Sequence, residues 1–64
     1  MIALTRINGR TVVVNAELIK FVESTPDTML TLIGGDRLMV QESVDDVVER
    51  AIEFARRIRA FQVV

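Results

Sequence analysis

Up to Gln41 the chain alternates apolar and polar positions over short stretches; from Ser43 apolar residues recur every three or four, so strands give way to one helix. Ile2-Ala3-Leu4-Thr5-Arg6-Ile7 and Arg10-Thr11-Val12-Val13-Val14 flank Asn8-Gly9, a strong hairpin signal. A two-residue type I′ turn at Asn8-Gly9 would set Ile7 opposite Arg10, Thr5 opposite Val12 and Ala3 opposite Val14. Arg6 would then meet Thr11, and Leu4 would meet Val13, on the other face. Both faces of such a ribbon carry apolar residues, so it is predicted to be covered on both sides.

Asn15 is placed to cap one helical turn over Ala16-Glu17-Leu18. Ile19 to Ser24 reads as a strand with Ile19 and Phe21 on one face, Lys20 and Ser24 on the other. Thr25-Pro26-Asp27-Thr28 is a turn, Pro26 presetting its φ and Asp27 able to bond the backbone locally. Thr28 to Ile33 forms the next strand, Gly34-Gly35 reverses it, and Arg37 to Gln41 completes a meander. Leu4-Thr5-x-Ile7-x-Gly9 is echoed by Leu30-Thr31-x-Ile33-x-Gly35. Two hairpins obeying the same turn rules explain the echo more simply than a duplication does.

Ser43 to Phe61 is predicted to be a helix. Ser43 is its N-cap, with Asp46 as the acid of a capping box. Asp45, Asp46 and Glu49 lie at the positive end of the dipole, Arg56, Arg57 and Arg59 near the negative end. Asp46–Arg50 and Glu53–Arg57 have the spacing of supporting ion pairs. Apolar residues from Val44 to Phe61 cover about half the circumference, more than the ~100° stripe a helix needs to lie on one sheet. The surplus edge Val47–Phe54–Phe61 is therefore the candidate self-association surface. The pattern as a whole specifies one α+β domain over 1–64: a hairpin over 1–15, a meander over 19–41 and the helix over 43–61. These make a small, twisted antiparallel sheet of four to five strands with one C-terminal helix packed on it.

Composition narrows the function. With 64 residues, half of them apolar, the core is marginal, since a domain of this size buries roughly 60% of its unfolded surface. The chain has no Cys and no His. Disulfide and zinc staples are thus closed to it, and association remains as the route to stability. The same absences exclude Cys and His catalysis and Zn, Cu or haem ligation. An enzyme is not expected, and no catalytic, cofactor-binding or metal-ligating residue is assigned. The net charge of -1 argues against general nucleic-acid binding, which depends on neutralising phosphates. No stretch resembles a signal peptide or approaches the ~18 apolar residues of a membrane span, so a soluble chain without membrane insertion is expected.

The acids Glu42, Asp45, Asp46 and Glu49 invite a metal reading, but acids at a helix N-terminus stabilise the dipole without one. Gly34-Gly35 lacks the residues of a phosphate loop and reads as a turn. Arg50, Arg56, Arg57 and Arg59 read as a solvated helix end. Arg6 is the outlier. It lies mid-strand in an apolar hairpin, where it could pair with a carboxylate, guard a sheet edge, or meet a ligand. Arg6 and Asn8, with Pro26 and Asp27, form the candidate contact face for a partner.

Taken together, Met1-Ile2-x-Leu4-Thr5-Arg6-Ile7-Asn8-Gly9, Asn15, Leu18-Ile19, Val22-Glu23-x-Thr25-Pro26-Asp27-Thr28, Leu32, Gly35, Val40-x-Glu42-Ser43 and Val47-Val48 resemble the small FlbD-type flagellar proteins, also described as swarming motility protein SwrD. The resemblance implies a cytoplasmic accessory of the flagellum, linked to swarming and motor power, without enzymatic activity or cofactor. Its implied partner is a flagellar motor or stator-related protein near the flagellar base. Two other resemblances are weaker. Leu4-Thr5-Arg6, the short strands and the terminal helix are similar to CsrA-like RNA-binding translational regulators, and Ile19 to Val48 is similar to part of a LytTR DNA-binding domain.

Overall fold

The computed structural model describes the backbone of residues 1–62 and the side chains up to residue 57. Strands β1 (Ile2–Thr5) and β2 (Thr11–Val14) form one antiparallel pair. Strands β3 (Ile19–Ser24), β4 (Thr28–Leu32) and β5 (Arg37–Val40) form a three-stranded antiparallel sheet in the order β3-β4-β5. A single 3-10 turn, Ala16–Leu18, joins the two sheets, and helix α1 (Val44–Gln62) ends the described chain. The α+β architecture and the five strands are as expected. They are divided between two sheets, linked edge to edge by a bridge between Arg6 and Val40. Backbone bonds from Gln41 N–H to Thr5 O (2.8 Å) and from Ile7 N–H to Met39 O (3.3 Å) flank that bridge.

The first hairpin departs from the expected register by one residue. Its partners are Ile2–Val14, Ala3–Val13, Leu4–Val12 and Thr5–Thr11. Asn8 keeps a negative φ, and Gly9 alone is left-handed, at φ 88°. Gly9 N–H donates to Arg6 O at 2.9 Å, and Arg6 N–H to Arg10 O at 2.8 Å. This is a type I turn closed by a glycine bulge, a three-residue loop in place of the two-residue type I′ turn. Asn8 Oδ1 accepts from Arg10 N–H at 3.0 Å and holds the loop. A one-residue slip exchanges the facing pairs. Ile2, Leu4 and Val14 are buried on one face, while Ala3 and Val13 are exposed on the other. Within the chain, then, the ribbon is covered on one side, not on both.

The echo seen in sequence is an echo in geometry. Gly35 N–H donates to Leu32 O and Leu32 N–H to Asp36 O, with Gly35 at φ 93°. The inward residues correspond in turn: Leu4 to Leu30, Val12 to Leu38, Val14 to Val40. Both glycines sit in open space where a Cβ would meet nothing within 4 Å, so an alanine there is disfavoured by backbone strain alone. Gly9→Ala and Gly35→Ala are each expected to lose ~1–2 kcal/mol, read as similar shifts of the denaturant midpoint at unchanged slope.

Asn15 caps the 3-10 turn as expected, its Oδ1 accepting from Glu17 N–H at 3.1 Å. In β3 a bulge between Ile19 and Phe21 changes which face each side chain takes. Ile19 and Val22 pack on the core, and Phe21 turns outward, against the expectation that Ile19 and Phe21 share a face. The Lys20 ammonium lies 5.4 Å from the Phe21 ring centroid, a favourable cation–π distance. Ser43 caps α1, its Oγ accepting from Asp46 N–H at 3.1 Å. The helix presents Val47 to a core of Ile2, Leu4, Val14, Leu30 and Val40, with Phe54 packed against its margin.

Candidate interaction surfaces

Where β5 ends and the chain turns into α1, the edge of β1 would be left without a backbone partner. Side chains supply one. The Glu42 carboxylate accepts from Thr5 N–H at 2.9 and 3.1 Å and from the Thr5 hydroxyl at 2.9 Å. Two residues back along the same edge of β1, the Arg50 guanidinium donates to Ala3 O at 2.7 Å and lies 3.4 Å from Glu42 Oε2. Glu42 and Arg50 thus continue along β1 the pairing that the Gln41 backbone begins, and they tie both to the first turns of the helix. The Thr5 N–H bond is the largest influence holding the Glu42 carboxyl below its ordinary value near 4.5. Desolvation opposes it, while Glu42's own amide, the Thr5 hydroxyl and the Arg50 charge add to it.

This junction corrects the two expected helix ion pairs. Arg50 does not pair with Asp46; Arg50–Glu42 is the one ion pair among the described residues, so the Glu53–Arg57 pair is not formed either. Glu42 does not stand with Asp45, Asp46 and Glu49 as an open acidic cluster, being held by Thr5 and Arg50. Among the described residues no group of three or more acids is placed to hold a metal ion.

The expected contact face is divided by the register. Arg6 bridges Val40, which in turn pairs with Thr28 next to the Pro26-Asp27 turn. From Arg6 the first loop runs back along β5 toward Arg37, so Asn8 points away from that turn. Arg6 is exposed, and no described carboxylate lies within ion-pair distance of it. Pro26 follows a cis peptide bond, and Asp27 O accepts from Thr25 N–H at 3.1 Å. Pro26 and Asp27 are both exposed.

The expected self-association edge is also redrawn. Val47 is 0% exposed inside its own chain, Phe54 is half-buried, and the Phe61 side chain lies outside the described residues. Val47 is therefore not a surface residue. The helical stripe that the chain leaves open is Val48, 42% exposed, and Ile52, 49% exposed, with Ala55 one turn further on. The outward face of the first hairpin adds Val13, and the two loop tips add Ile7 and Ile33 at equivalent positions. Sequence periodicity showed the surplus of apolar helix positions but not which edge the sheets would cover.

No helix among the described residues is long and apolar enough to cross a membrane. No curated protein and no solved structure matches the chain. The family model for FlbD, described as flagellar and swarming motility proteins, matches residues 1–59. That span includes all five strands, both glycine-bulge loops, the Glu42–Arg50 junction and α1 past Phe54. The chain belongs to the FlbD family of flagellar and swarming motility proteins.

Proposed function

We propose that this chain is a non-enzymatic accessory protein of the flagellar system, supporting swarming and the power of the motor through protein–protein contact. In this reading it self-associates and works in the cytoplasm at the flagellar base, against a motor or stator-related protein. The observation that supports it most directly is the open apolar stripe Val48–Ile52 on α1, which the chain's own sheets do not cover. Neighbouring apolar side chains left open on one helix face are what a small binding face offers a partner. A chain of net charge -1 offers little general attraction to nucleic acid by comparison.

Deleting the gene from a motile strain tests the reading. Swarming should fail while flagella still assemble in normal number. Loss of the filaments themselves would replace a role in motor power with one in assembly or regulation. Unimpaired swarming would remove both.

A further inference from the structure

The open stripe on α1 carries uneven charge, with its cation at the C-terminal end. Asp45, Val48, Glu49, Ile52, Glu53 and Arg56 line one shallow groove along the outer face of the helix. Its acids Asp45 and Glu49 flank Val48, Glu53 follows Ile52, and its cation Arg56 stands one turn beyond Ile52. Such a face favours one orientation of two copies over the other. Two parallel copies would set acid against acid and Arg56 against Arg56. Two antiparallel copies set Arg56 against the Asp45–Glu49 end and leave only Glu53 near its own counterpart.

We propose that α1 pairs antiparallel with α1 of a second copy, with Ile52 packed against its own counterpart at the two-fold axis. In that register Val48 lies opposite the stem of Arg56, and the Arg56 guanidinium falls between Asp45 and Glu49 of the second copy. The contact is isologous, as expected of a symmetric dimer, and helix axes 8–10 Å apart bring these side chains together. The first-turn acids would be repelled by an anionic lipid surface, so a membrane fits this face less well than a second copy does. The proposal deepens the self-associating reading and rests on it.

Sedimentation velocity of the full chain over a concentration series tests the pairing, with circular dichroism confirming that each variant keeps its helix. Wild type should pass from single copy to dimer at micromolar concentration, as a small interface does (Kd about 1–100 μM). Ile52→Asp, at a half-exposed position, should weaken the dimer at least about tenfold. Arg56→Glu should weaken it similarly, and adding Glu49→Arg to Arg56→Glu should recover most of the loss, which a purely intramolecular role for these charges would not produce. A chain that stays single-copy throughout, a dimer indifferent to Ile52→Asp, or a charge reversal without recovery would each overturn the pairing. The first of these together with defective swarming in the deletion strain would remove the helix pair and leave the motility role standing.

Discussion

Truncating Leu30 to alanine is expected to cost about 3 kcal/mol, the middle of the range for a fully buried leucine. Leu30 is central in β4, opposite Val22 in β3 and Leu38 in β5, and it is 0% exposed. It belongs to the same core as Val47 of α1 and Leu4 and Val14 of the first hairpin, so a cavity there loosens both sheets and the helix at once. A chain of 64 residues holds a total stability of only ~3–10 kcal/mol at the usual increment per residue. Leu30→Ala should therefore shift the urea midpoint, followed by circular dichroism, far toward zero denaturant. Phe21→Ala, on the outward side of the β3 bulge, is the control and should shift the midpoint little. A Leu30→Ala midpoint close to that of wild type would show that the core lies elsewhere.

The second large effect is expected at Glu42. Glu42→Ala leaves the Thr5 N–H without its acceptor and Arg50 without its carboxylate. The loss of charge-assisted bonds at a side chain only 12% exposed should cost about 2 kcal/mol. The pH dependence follows from the direction of the shift. A carboxyl held below its ordinary value in the folded chain contributes stability that is complete above that ordinary value. That contribution fades as pH falls through the lower folded value and is gone once both states are protonated. Wild type should therefore exceed Glu42→Gln in stability by a constant amount near neutrality, and the gap should close progressively below about pH 4. A gap independent of pH would mean that Glu42 acts by packing and not by charge. Because Glu42 joins the start of α1 to β1, the loss should appear as separation of helix from hairpin, with amide protection falling first at Thr5.

Most of the fold could be read from local pattern. Strand and helix limits, the Asn15 and Ser43 caps and the two glycine turns all depend on residues near one another in the chain. The errors came where local chemistry allows two answers. Asn8-Gly9 satisfies a type I′ turn, but it equally satisfies a type I turn with glycine in the bulge, and the choice moves the register by one residue. Gly34-Gly35, in the echoed loop, poses the same choice, since Gly-Gly also suits either turn. The β3 bulge was hidden because Ile19-Lys20-Phe21 alternates correctly for an unbroken strand.

The interaction surfaces were less legible, and for one physical reason. Whether Val47 or Val48 faces inward depends on how the helix is rotated about its axis, which periodicity leaves undetermined when apolar residues span half the circumference. Glu42 and Arg50 set that rotation by gripping Thr5 and Ala3, far away in sequence. Asp45 and Asp46 read correctly as first-turn acids of the helix, yet nothing nearby marks Glu42 as the acceptor for the β1 edge. Asn8 and Pro26 were separated likewise, by a strand register that only the folded sheets define.

Whether the open face of α1 is what the protein uses can be settled in cells. A strain lacking the gene is complemented with the Ile52→Asp chain, and its swarm expansion is measured beside wild-type complementation, with immunoblots confirming equal amounts of soluble protein. Swarming that stays as poor as in the uncomplemented strain is the expected result; full restoration of swarming by the variant would contradict a role for this face.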